Sequence, residues 1–119
     1  MIIGSHVLLY SKDPDADRAF FSDDLELRSV DAGGGWLIFA LPPAEVAVHP
    51  ADPGSSGDRL LRTQFYLMCD DLAATIKSLE AKKIKCTEMA RERWGIRTAI
   101  VLPSGGEIGL YQPMHPTAF

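Results

Sequence analysis

The stretch Leu102-Pro103-Ser104-Gly105-Gly106-Glu107-Ile108-Gly109-Leu110-Tyr111-Gln112-Pro113 repeats the plan of an earlier one, Leu41-Pro42-Pro43-Ala44-Glu45-Val46-Ala47-Val48-His49-Pro50. In both, Leu-Pro leads into a turn and a glutamate then opens a mostly apolar run, which reads as a strand entered from a tight turn. Once the longer second turn is allowed for, Glu45 matches Glu107, Ala47 matches Gly109, and His49 matches Tyr111. At the front of each half, His6 matches Gln64.

Working outward from this pair, the order of elements recurs. The apolar run at 1–10 reads as a first strand. Asp13-Pro14 then suits the cap and first turn of a helix that runs to about residue 24. Helical spacing puts Ala16, Ala19 and Phe20 on its buried side and leaves Asp15, Asp17 and Arg18 in water. Strands at 27–31, 36–41 and 45–49 follow, separated by Gly33-Gly34-Gly35 and Pro42-Pro43. In the second half, a strand at 64–69 precedes a helix that Asp71 caps. Its Leu72, Ile76 and Leu79 share one face, and Lys82-Lys83 suit its negative end. Strands at 85–88, 98–102 and 107–111 complete the half. The expectation is one α+β domain, 1–119, made of two tandem βαβββ modules, 1–50 and 60–113, joined by a Pro/Gly/Ser linker at 51–59. Each module has a sheet face it cannot bury alone, so the sheets should curl around a shared cavity, the natural place for a ligand. A ferredoxin-like sandwich is the rival architecture.

The 119 residues are 46% hydrophobic, enough to fill one core. Twelve basic against 16 acidic residues give a net charge of -4, which argues against nucleic acid or an anionic membrane as partner and leaves a small molecule or another protein. The apolar start has no basic leader and is too short for a signal or membrane segment, so a cytoplasmic protein is expected. Cys69 and Cys86 lack metal-type spacing and read as buried, reduced thiols. No phosphate loop, nucleophile elbow or His-Glu-x-x-His motif is present.

His6-Val7-Leu8-Leu9-Tyr10-Ser11-Lys12-Asp13, the helix ending in Phe20-Phe21, Leu25, and the 102–110 stretch together resemble the vicinal oxygen chelate superfamily of glyoxalases, bleomycin-resistance proteins and extradiol dioxygenases. The resemblance runs from His6 to Pro113. It implies four metal-ligand positions, usually His, Gln or Glu, which fall here on His6, Ala47, Gln64 and Gly109. Ala47 and Gly109 have no side-chain donor, so only two of the four can ligate, fewer than a lasting divalent site needs. No cofactor is therefore expected. A divalent metal would require recruitment of a neighbour in phase with the lost carboxylates: Glu45, His49 or Glu107. Both modules also lack the glycine that often follows the helix in this family. Glu26 and Lys83 stand there, at a cost of about 1 kcal/mol each in a left-handed cap.

The candidate ligand-binding residues are His6, His49, Gln64, Tyr66, Trp94, Glu107 and Tyr111. His6 and Gln64 lie on cavity-facing strands, though either would serve equally as a structural polar group. His49 and Tyr111 form a matched pair of polar handles, and Trp94 could close over a flat ligand with Arg91 or Arg93 beside it. Glu107 is the catalytic candidate if it is buried; a solvated strand start is the alternative. Three functions stay open. The chain could be a binding protein for a small organic molecule that lacks a complete metal site. It could be a metal-dependent lyase or dioxygenase using His6, Gln64 and Glu107. Or it could be a drug-sequestering resistance protein. A homodimer is expected, because so short a chain leaves sheet edges open.

Overall fold

The computed structural model describes residues 7–45, 47 and 63–116; His6, His49 and the 51–59 linker lie outside the described residues. The chain divides into two compact units. One gathers the residues through Ala40 with the turn Leu102–Gly106; the other gathers Leu41–Val101 and the chain from Glu107 on. Among the described residues, no helix is long and apolar enough to cross a membrane.

In the first unit, helix α1 (Pro14–Ala19) starts where Asp13 and Pro14 indicate, with the Asp13 carboxylate accepting from Ala16 N at 3.2 Å. It then widens into a π-helical turn, Phe20–Asp24, closed by Leu25 N–H donating to Phe20 O at 3.1 Å. The wider turn lets the adjacent Phe20 and Phe21 both face inward. Their rings meet edge-on at 5.9 Å, and Phe21 meets Phe39 at 5.5 Å. Strands β1 (Ser29–Asp31) and β2 (Leu37–Phe39) pair antiparallel through Val30 and Ile38. Asp31 Oδ1 accepts from Gly33 N at 2.7 Å, and the turn it holds has positive φ at Gly33, Gly34 and Gly35, a path that side chains would resist.

Two expectations for this unit need correction. Helical periodicity puts Asp17 in water and Ala19 in the core, yet Asp17 is 6% exposed and Ala19 faces solvent. The reason is a partner far along the chain: the Asp17 carboxylate accepts from Ser11 Oγ at 2.6 Å, Ser104 Oγ at 2.8 Å and Ser104 N at 3.1 Å. A buried carboxylate with three donors is satisfied where a bare one would not be. Residues 7–10, expected within the first strand, belong to no ladder and are exposed; no described strand lies alongside to take their backbone groups.

The second unit is a four-stranded sheet with one helix: β3 (Tyr66–Met68), α2 (Leu72–Ala81), β4 (Ala90–Glu92), β5 (Gly95–Val101) and β6 (Glu107–Pro113). The strand order is β3-β6-β5-β4, with β3 parallel to β6 and the other neighbours antiparallel. Asp71 caps α2 by accepting from Ala74 N at 3.0 Å. Leu72 and Leu79 pack with Ile100, Ile108 and Leu110 in the core, and Gln112 Oε1 accepts from Leu72 N at 2.9 Å. Because side chains alternate along β6, Ile108, Leu110 and Gln112 turn to the helix while Glu107, Gly109 and Tyr111 take the other face.

The expected strand at 85–88 is only a single bridge, Cys86 to Ile100. The continuous strand comes later, at β4, where Arg93 and Trp94 form a two-residue turn into β5. Between bridge and strand the pairing slips by one residue, a bulge in which Thr98 Oγ donates to Thr87 O and Thr87 Oγ accepts from Ala99 N. Helix α2 ends as its sequence indicates: Lys83 has φ 63°, Lys83 N–H donates to Glu80 O, and Ile84 N–H donates to Leu79 O, a Schellman closure. Glu26, with φ 55°, holds the matching place in the first unit.

Two stability outcomes follow. Asp17→Ala strands the Ser104 donors and should lower the urea midpoint by an amount worth about 2 kcal/mol, with the slope unchanged. Lys83→Gly relieves a left-handed side chain and should raise stability by up to about 1 kcal/mol in the same assay.

Candidate functional site

The face of the second unit's sheet opposite α2 carries the candidate site. In the parallel register Tyr66 lies beside Gly109 and Met68 beside Tyr111, while on the other side Arg97 pairs with Tyr111 and Ala99 with Gly109. The Tyr66 ring lies over Gly109 so closely that a Cβ built on Gly109 would overlap it. Trp94, from the β4–β5 turn, completes a three-ring cluster. Its ring is 5.9 Å from Tyr66 and 5.0 Å from Tyr111, and the two tyrosines are 5.6 Å apart, all edge to face.

The polar end of this cluster is built on Tyr111. Its hydroxyl lies 3.4 Å from Glu45 Oε1 and 3.4 Å from His115 Nε2, and His115 Nε2 lies 3.7 Å from Glu45 Oε1. Met114 N–H donates to Trp94 O at 2.8 Å and so holds His115 beside the cluster. Burial first, and then the negative charge and hydrogen bond of Glu45, push the Tyr111 phenol above its ordinary value, so it keeps its proton through neutral pH. Burial also raises both cysteine thiols. The acids beside them, Asp70 and Asp71 at Cys69 and Glu80 at Cys86, add to this, while a Thr75 hydrogen bond partly opposes it at Cys69.

Of the residues singled out from the sequence, Tyr66, Trp94 and Tyr111 come together here. Gln64 lies just before β3 and is exposed, as is Ala47. Glu107 opens β6 on the site face but is exposed, at the solvated rim rather than in a desolvating pocket. His6 and His49 lie outside the described residues. Sequence reasoning missed His115. It stands beyond the last strand, where no periodicity marks it, and its only signal is that it is one of three histidines.

Of the four positions that the family resemblance points to, two described ones lack a side-chain donor. Ala47 and Gly109 supply no oxygen, and the space a longer side chain at Gly109 would need is taken by the Tyr66 ring. Among the described residues, no group of three or more His, Cys, Asp or Glu is arranged to hold a metal.

No family profile matches the sequence, and no curated protein matches it significantly. Solved structures do match in shape. A lactoylglutathione lyase from Agrobacterium tumefaciens superposes with a TM-score of 0.64 at 20% identity over 92% of each chain. TnmS3, an antibiotic-binding protein from Streptomyces sp. CB03234, superposes with a TM-score of 0.61 at 25% identity over 95% of this chain and 99% of that one. The chain has the vicinal oxygen chelate fold. A glyoxalase/bleomycin resistance protein from the same Streptomyces, with a TM-score of 0.56 at 24% identity over 86% and 93% of the two chains, shares it.

Gly109→Ala should displace the Tyr66 ring, cost about 1–3 kcal/mol and weaken the near-ultraviolet dichroism of the cluster; adding Tyr66→Ala to the same chain should recover part of the loss. The two thiols are free. Counting under denaturing conditions should find two per chain, and in the native protein both should react slowly with a disulfide reagent at neutral pH and faster as pH rises.

Proposed function

We propose that the protein binds a small aromatic or amphipathic organic molecule on the sheet face that carries Tyr66, Trp94 and Tyr111, and that it works without a complete catalytic metal site. The observation that carries this reading is the Tyr66 ring seated on Gly109. A position that could project a carboxylate has become the floor of an aromatic surface. Aromatic edges and faces offer contact area with little rotamer entropy to lose, and the Tyr111 hydroxyl, Glu45 and His115 supply polar groups at one end to fix orientation.

TnmS3, an antibiotic-binding protein, matches over almost the whole chain, so binding without turnover is one use of this fold, as lyase activity is in the Agrobacterium protein. Drug sequestration is the narrower form of the same reading, with a net charge of -4 suited to a cationic drug. A metal-dependent lyase or dioxygenase would need Glu107 or His49 as a third donor beside His6 and Gln64, and the exposure of Glu107 and Gln64 weighs against it. The reading also takes the protein to be a cytoplasmic homodimer; sedimentation as a monomer at micromolar concentration would overturn the dimer.

Titration with naphthalene derivatives, followed by tryptophan fluorescence, tests the proposal. Binding should quench Trp94, and Trp94→Ala should weaken it about tenfold, with overall stability changed less than in Gly109→Ala. Elemental analysis of protein purified without added metal should find far less than one divalent ion per chain. Stoichiometric metal would move the enzyme reading to first place.

A further inference from the structure

The sheet face that carries Tyr66 and Tyr111 also takes every second side chain of β5. These are Arg97, Ala99 and Val101, the register partners of Tyr111, Gly109 and Glu107. Cross-strand partners have Cβ atoms about 4.5–5.5 Å apart, so the Arg97 stem runs beside Tyr111. Ala99 carries only a methyl, and its partner Gly109 is covered by the Tyr66 ring. The surface between Arg97 and that ring is therefore low and apolar, with Tyr66, Trp94 and Ala99 all half-exposed.

The guanidinium of Arg97 is held along one edge. Nε donates to Glu92 Oε1 at 3.0 Å, and Nη2 lies 3.0 Å from the same oxygen. Nη1 and the second hydrogen of Nη2 form the other edge, a fork that suits a carboxylate taken by two parallel bonds. Among the described residues this fork meets no acceptor. The side chain is 42% exposed, so solutes can reach it. Among the described residues of the sheet, Arg97 is the cation on this face, since Arg91 pairs with Ile96 and takes the opposite one. Of the carboxylates other than Glu92, Glu45 meets the Tyr111 hydroxyl at the tip of that ring. Glu107 opens β6 about 13 Å from Tyr111 at strand spacing, beyond a screening length of about 8–10 Å.

We propose that Arg97 binds the carboxylate of an aromatic acid whose ring system lies against Tyr66, Trp94 and Tyr111. This rests on the binding reading above and names its ligand class. A planar acid suits the arrangement twice, because its ring system packs on the aromatic cluster and its flat carboxylate matches the guanidinium fork. Glu92 keeps that fork from turning, so less freedom is lost when the acid binds. The net charge of -4 acts on approach from a distance, where salt screens it. At contact, the charge beside the rings is that of Arg97.

Calorimetric titration of the intact protein with naphthoate, naphthylmethanol and naphthylmethylammonium at neutral pH tests this. Naphthoate should bind about tenfold tighter than the alcohol, with the ammonium compound weakest, and its advantage should shrink as salt is raised. Arg97→Gln should bring naphthoate to the affinity of the alcohol and leave the alcohol within about twofold of wild type, whereas Arg97→Lys, which keeps the charge without the fork, should retain part of the advantage. Arg91→Gln should leave the order unchanged. Because the pair of Arg97 with Glu92 is half-exposed, the urea midpoints of these variants should stay close to that of the wild type. If naphthoate binds no tighter than the alcohol, if the ammonium compound binds tightest, or if the naphthoate advantage survives Arg97→Gln, the acid site is wrong and the aromatic-binding reading stands. If none of the three compounds binds, both fall.

Discussion

Side chains on neighbouring strands share the same space, with Cβ atoms about 4.5–5.5 Å apart, so a tyrosine ring can lie across the next strand only where that strand has no side chain. The pairing of Tyr66 with Gly109 meets this condition, and the rest of the candidate site is arranged around it. With Tyr66 lying down, its ring meets the edges of Trp94 and Tyr111. With Tyr111 enclosed, its hydroxyl is directed at Glu45 and His115. What reads in the sequence as a lost metal ligand is, in three dimensions, the complement of a ring.

The same strand that displays Gly109 and Tyr111 turns Ile108 and Leu110 to the helix side. A slip of one residue would exchange the two sets and destroy core and site together. Register is held at several points: Gly109 N–H donates to Phe65 O, Cys69 N–H to Tyr111 O, and Gln112 accepts from the first residue of α2. Stability and ligand-facing chemistry are thus written on alternate residues of β6, and neither can be changed without reading the other.

Features that depend on local chemistry were legible in the sequence. Asp13 and Asp71 cap their helices, Leu-Pro introduces the last turn, and Glu26 and Lys83 occupy the left-handed positions where glycine would be easier. Features that depend on distant partners were not. Asp17 looks solvent-facing because its periodicity says nothing of Ser104, and β4 was hidden because a charged Arg-Glu-Arg run resembles a loop until its antiparallel partner, with Glu92 paired to Arg97, is in place. The site divides in the same way. Tyr66, Trp94 and Tyr111 stand out as large residues on strands or beside glycine, but His115 acquires meaning only when Met114 is bonded to Trp94 and the chain is brought back to the cluster.

The bond between Asp17 and Ser104 joins residues 87 positions apart, and the turn that carries Ser104 belongs to the first unit although the strands it connects belong to the second. Such a bond does not depend on the path of the chain between its ends. A substitution at Asp17 therefore acts on a turn that lies most of the chain away, and its effect would be misread by any account that follows the sequence one residue at a time.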